Sequence, residues 1–129
     1  MADTEKITIN LSVVDLGRID LLVEQGFYTT RTDFIRAAIR NQVDKHKMEI
    51  QDTITRTSSA IGVLVYDASD LEKRKAKNER LNINIVGMLV LAKDITPELA
   101  REVIQSIKVH GTFKAPEDVK QAIADRIAE

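Results

Sequence analysis

Residues Lys6-Ile7-Thr8-Ile9-Asn10-Leu11 alternate strictly between polar and apolar, the period of a β-strand with one face buried and one wet. Ile7, Ile9 and Leu11 make the apolar face; Lys6, Thr8 and Asn10 make the polar one. Helical signals follow. Ser12 and Asp15 stand at capping-box spacing, and Val13, Leu16, Ile19, Leu22 and Val23 recur at helical intervals up to Gly26. This predicts a first helix from about Val13 to Gln25. Thr30 and Asp33 repeat the capping spacing ahead of Phe34, Ile35, Ala38, Ile39 and Val43, a second amphipathic helix expected to reach about Ile50. A lone strand leaves backbone N–H and C=O groups unpaired on both sides, and no second strand pattern lies near it in sequence. A second copy of the chain removes the difficulty. Two such strands can pair antiparallel into a ribbon whose apolar face packs on helices of both subunits, which makes dimerisation a condition of folding.

In this order of parts the chain resembles the ribbon-helix-helix family, that of the Arc, methionine and CopG repressors. The resemblance covers about the first third and rests on the Lys-Ile-Thr-Ile-Asn-Leu strand, the capped first helix and the Gly26-Phe27-Tyr28 turn. Its most specific part is Thr30-Arg31-Thr32-Asp33-Phe34-Ile35-Arg36-Ala37-Ala38-Ile39-Arg40, where many members carry Ser-Arg-Ser-Glu-Phe-Ile-Arg. A proline common near the start of the family's first helix is replaced here by Ser12-Val13. The resemblance implies double-stranded DNA as partner and an obligate homodimer with Ile7, Ile9, Leu11, Leu22, Phe34, Ile35 and Ile39 in its core. It also implies that Lys6, Thr8 and Asn10 enter the major groove as base readers, and that Thr29, Thr30 and Arg31 anchor a phosphate at the start of the second helix.

The chemistry suits those roles. Lys can donate to guanine O6 and N7, Asn can pair twice with adenine, and Thr can meet a polar edge or a thymine methyl. Any half-exposed strand carries polar residues on its wet face, so these three would mean little outside the whole pattern. A helix start attracts anions through its free N–H groups, although Asp33 would repel a phosphate that it faced.

The second half reads differently. Gln51 to Ala60, rich in Thr and Ser, is expected to be a linker, dividing a domain at 1–50 from one at 61–129. Ile83-Asn84-Ile85-Val86-Gly87-Met88-Leu89-Val90-Leu91 and Ile107-Lys108-Val109-His110-Gly111-Thr112-Phe113 superimpose at a spacing of 24, glycine on glycine. Asp94-Ile95 then falls on Asp118-Val119 and Leu99 on Ile123, while the run around Gly62 fits an earlier copy offset by 25. Such a period predicts strand-helix units stacked side by side, with the charged stretch Asp70–Arg80 as a helix. The expected fold is α+β: an amino-terminal β-α-α module that dimerises by intertwining, and a small carboxyl-terminal α/β domain of repeated units that oligomerises or receives a signal.

Composition narrows the function. With 129 residues, no cysteine, 43% hydrophobic residues and no apolar run near the ~20 of a membrane span, the expectation is a cytoplasmic protein without disulfides. Aromatics are only 4%, so the core must come from Ile, Val and Leu, and such small domains often need a partner chain. Net charge is −1, and the first fifty residues carry seven basic against eight acidic side chains, so only a clustered basic face could hold DNA. Lys73, Arg74, Lys75, Lys77 and Arg80 form a basic cluster, but Asp70, Glu72 and Glu79 interleave it as on a solvated helix. Two histidines, His46 and His110, do not make a metal site without further ligands, and no cofactor is expected. No phosphate loop, nucleophile elbow or distinctive carboxylate pair appears, so no enzyme is expected. The leading expectation is a sequence-specific, repressor-like transcriptional regulator, with dimers joined through the second half. Two others remain open: a scaffold in which the ribbon is only a dimer clamp, and an antitoxin-type autoregulator.

Overall fold

In the computed structural model, which describes residues 4–128, the chain divides into two units: residues 6–53, and residues 54–128 together with Thr4 and Glu5. The first unit contains α1 (Val13–Glu24), α2 (Arg31–Lys45) and most of α3 (Lys47–Thr57). Local chemistry sets these boundaries. Ser12 caps α1, its hydroxyl accepting from the Asp15 N–H at 3.0 Å, and Thr30 does the same for α2 through the Asp33 N–H. Gly26 ends α1 at φ +86°, its N–H bonded to the Val23 carbonyl and that of Phe27 to Leu22, a Schellman stop that a side chain would resist.

Residues 6–11 pair with no strand in the single chain, where the ribbon expected of two copies has no second copy to form with. Two expectations for this region need correction. The second helix stops at Lys45 rather than Ile50: His46 takes φ −105°, ψ 19°, its N–H turns back to Val43, and α3 begins at Lys47. Gln51–Thr57, expected as linker, is helical, since Ile50 and Ile54 continue a helical spacing that the Thr-rich composition conceals. That helix ends at Ser58, which adopts φ +55°, and β1 begins at Ala60.

The second unit runs β1 (Ala60–Tyr66), α4 (Ala68–Ala76), β2 (Leu81–Leu91), α5 (Pro97–Val103), β3 (Ile104–Lys114), α6 (Glu117–Ala122), a 3-10 turn at Ala124–Arg126, and β4 (Ile127–Ala128). The protein is therefore α+β, with a four-stranded, all-parallel sheet in the order β1-β2-β3-β4. Parallel crossovers are right-handed in nearly all cases, so consecutive strand order places every connecting helix on one face. Burial agrees. Ile83, Ile85, Leu89 and Leu91 of β2 and Ile107 of β3 pack under Leu71, Leu99, Val103, Val119 and Ile123, in one core cluster. Each fully buried Leu or Ile of this kind contributes about 1.5–3 kcal/mol.

Register follows the sequence period. β2 pairs with β3 at an offset of 24 over Ile83–Val90, and β1 with β2 at an offset of 25, which brings Gly62, Gly87 and Gly111 to one level. All three have φ between +129° and +139°. A Cβ on Gly87 would lie 2.0 Å from the Gly62 carbonyl oxygen, and one on Gly111 equally close to the oxygen of Gly87. Only glycine satisfies both conditions. Around this level the repeated side chains do repeated work: Ile95 and Val119, and Leu99 and Ile123, are buried in pairs. Asp67 caps α4 reciprocally with Asp70, and Arg126 Nη1 donates to the carbonyls of Ile104, at 2.8 Å, and of Arg101, fastening the last turn.

Gly87→Ala is expected to destabilise this unit by about 3 kcal/mol or more, because backbone strain is joined by a clash with fixed backbone. Gly62→Ala, with nothing within 4 Å of its Cβ, should lose only the strain, about 1–3 kcal/mol. Urea unfolding of the two variants checks the order; equal losses would mean that the carbonyl contact is immaterial.

Candidate nucleic-acid interface

The segment expected to read DNA lies open. Lys6, Thr8 and Asn10 are exposed, as are Ile7 at 74%, Ile9 at 59% and Leu11 at 40%. Further along, Val13, Val14, Leu21, Phe27, Ile39 and Val43 are exposed too, and Ile19 is the one buried apolar residue described between 6 and 53. Of the expected dimer core, Leu22, Phe34 and Ile35 are half-buried, while Ile7, Ile9, Leu11 and Ile39 are not covered. So much uncovered apolar surface on so few residues is what a monomeric domain avoids.

At the helix turn, Tyr28 and Phe34 meet edge to face with ring centroids 5.0 Å apart, seating the turn on α2. The expected anchor residues have different occupations. Thr30 Oγ1 is the cap of α2, and the Thr29 N–H donates to Asp33 Oδ2 at 3.1 Å. Asp33 thus turns inward onto the preceding loop. Arg31 spans from α2 to α1, donating through Nε and Nη2 to the two Asp20 oxygens at 2.7 and 2.8 Å. Its guanidinium is committed to a helix-helix clamp, so the anchor expected of Thr29, Thr30 and Arg31 is reduced here to hydroxyl and backbone groups.

Sequence reasoning missed this clamp, although a signal existed. A cation in the first turn of a helix opposes the helix dipole, which calls for a carboxylate nearby. The partner stands eleven residues away, beyond any helical spacing. The hydrogen bond from Arg31 holds the Asp20 carboxyl below its ordinary pKa, and the same contact raises that of Arg31.

The remaining charges are dispersed. Arg36, Arg40, Lys45 and Lys47 are exposed along α2 and the start of α3. In the second unit, Lys73, Arg74 and Lys77 line a hollow with Val65, Tyr66, Asp70 and Glu79, Arg74 lying 5.9 Å over the Tyr66 ring, while Lys75 pairs with Glu102 at 2.8 Å. His46 caps α2 beside Glu49, and His110 is exposed on β3. Among the described residues no three His, Cys, Asp or Glu side chains gather as a metal site, and no helix is long and apolar enough to cross a membrane.

A family profile described as the ribbon-helix-helix transcriptional regulator family matches residues 2–120. The chain belongs to that family. The ribbon-helix-helix match is not confined to the first third of the chain, where the motifs stand, but takes in β1, α4, β2, α5 and β3 as well. No curated protein and no solved structure matches the chain significantly. In this ribbon-helix-helix protein the order of an alternating segment followed by two capped helices is accordingly joined to a parallel sheet.

Replacing Asp20 by Asn tests the clamp. A carboxylate whose folded pKa is depressed adds stability above its unfolded pKa, and that stability is lost as pH falls through the folded value. Asp20→Asn should therefore lower Tm slightly at neutral pH, and the difference from the native protein should close in the acid range below the ordinary carboxylate pKa. Thermal melts from neutral pH downward measure it; a pH-independent difference would assign the loss to something other than the ion pair.

Proposed function

We propose that this protein is a sequence-specific DNA-binding regulator, without enzymatic activity of its own, working in the cytoplasm as an intertwined homodimer. Residues 6–11 of two chains pair antiparallel into a ribbon. Ile7, Ile9 and Leu11 face the helices with Leu22, Phe34, Ile35 and Ile39, and Lys6, Thr8 and Asn10 face the major groove. The observation that carries this reading is the exposure of Ile7, Ile9 and Leu11 in the single chain, at alternate positions, within a chain that belongs to the ribbon-helix-helix family. A second strand supplies what the first lacks, hydrogen-bond partners along both backbones and cover for the apolar face.

Phosphate contact in this reading falls to Thr29 and the backbone N–H groups at the start of α2, with Arg36 and Arg40 as exposed cations one turn apart on the same helix. Because Arg31 is held by Asp20, its part is to fix the angle between α1 and α2. That angle sets where the α2 terminus meets the backbone. A repressor-like role follows from occupancy of a site rather than from any reaction.

The near-balance of charge favours a second reading, in which the ribbon only clamps the dimer and the protein organises an assembly. One experiment separates them. Native protein and a Lys6, Thr8, Asn10 triple-alanine variant are each offered random duplex DNA at low salt, and bound sequences are selected. The DNA reading expects a recurrent short motif from the native protein alone, and Asn10→Ala to lose about 1–3 kcal/mol on that motif while relaxing one base position. Absence of enrichment by the native protein would give the clamp reading the lead.

A further inference from the structure

The parallel sheet ends in two edges that fit one another. At one edge β1 has no neighbour on its outer side among the described residues. It holds no charge and no proline, and Ile61, Val63 and Val65 are 66%, 40% and 56% exposed. At the other, β4 pairs with β3 only at Ile107 and Lys108, so that from Val109 to Lys114 β3 is paired with β2 on its inner side and has no described strand on its outer side. Exposed edges are ordinarily blunted by charge, proline or a cover, because they template pairing with another chain. β1 lacks all three.

Within the sheet every strand seats on the next by the same step. The Gly62 oxygen lies over Cα of Gly87, and the Gly87 oxygen over Cα of Gly111. By that step the Gly111 carbonyl belongs over another glycine, while around the Cβ position of Gly62 there is nothing within 4 Å. A β1 strand from a second copy, set on β3 with Gly62 against Gly111, would begin with Ala60 opposite Val109. That is the first residue beyond those that β4 covers. Leu64 would join Leu89 and Phe113 in the row beneath the helices, and Val63 would join Met88 and Thr112 on the open face.

The helix layer is complementary in charge along the same two edges. Beside β1, α4 presents Lys73, Arg74 and Lys77 around the hollow at Val65 and Tyr66; Glu79 lies 4.0 Å from Arg74 and Asp70 is used in the Asp67 cap. Beside the end of β3, α6 opens with Glu117 and Asp118, both exposed, while its one cation, Lys120, is drawn onto the Phe113 ring at 5.3 Å. On its other side α4 is tied to α5 by the ion pair of Lys75 with Glu102.

We propose that two copies of this chain join head to tail through their sheets, β1 of one extending the sheet of the other along Val109–Lys114, with the basic side of α4 against the acidic start of α6. Such a junction joins unlike surfaces and leaves a free edge at each end, so it propagates unless a rotation closes it. It involves the sheet unit alone and does not rest on the DNA reading.

Sedimentation of the full-length protein without DNA, over a rising concentration series, tests the junction. Average mass should climb past that of two chains, and about tenfold more protein should be needed for the same mass at high salt. Lys73→Glu/Lys77→Glu and Glu117→Lys/Asp118→Lys should each stop growth, and mixing these two variants should restore it. Ile61→Lys/Val63→Lys, at positions already exposed, should block growth by a route that leaves the α4 and α6 charges intact. Growth in steps of two chains goes with the ribbon dimer; growth in single-chain steps keeps the sheet junction and removes the dimer. Native protein that never exceeds two chains overturns the proposal. Growth of the α6 variant equal to native also overturns it, since the contact would then join β1 to β1.

Discussion

Backbone contact between three glycines sets the register of the sheet, and most of the ordered core depends on that register. A parallel sheet with all its helices on one side has a single buried face. A slip by one residue would turn Ile83, Ile85 and Leu89 outward and bring Asn82, Asn84 and Val86 under the helices. The carbonyl of one glycine resting over Cα of the next permits one alignment only, and it coincides with the alignment that stacks Leu64, Leu89 and Phe113 in a row. Backbone sterics and apolar burial therefore select the same structure, which is the condition for a unique fold.

Nothing comparable holds residues 6–53. Caps at Ser12 and Thr30, the Gly26 stop and the Arg31–Asp20 pair define where helices begin, end and cross, but each is local or solvent-exposed, and exposed ion pairs add little stability. The apolar residues needed for a core are present and face outward. This unit has its secondary structure specified by its own sequence and its packing left to another surface. On the proposed reading as a DNA-binding dimer that division has a use, because a module completed by association presents two copies of its reading face at a fixed spacing.

The open face and edges of the sheet follow a related logic. On the side away from the helices, Val86, Met88 and Val90 are only half covered, with Glu5 reaching Lys114 at 3.9 Å and Ser106 donating to Asn82 at 2.7 Å. Asn84 donates to the Thr57 carbonyl at 3.0 Å, so the end of α3 is tied to the middle of β2. Here a side-chain amide holds the chain just ahead of β1, whose outer side has no strand partner among the described residues.

Whatever acts over a few residues or repeats at a fixed interval is written in the order of the amino acids. The caps, the Gly26 stop and the 24-residue period were legible, because a cap reaches three residues and a period becomes a strand register once the copies stack. Composition misled at Gln51–Thr57, where Thr and Ser suggested a loop but Ile50 and Ile54 kept a helical interval. Tertiary structure alone decided the rest: that Arg31 serves Asp20 on the preceding helix, that the three glycines meet carbonyl to Cα, and that β1 is an edge. Those depend on which segments come side by side, and a linear pattern carries the preference of each segment for burial without naming its neighbour.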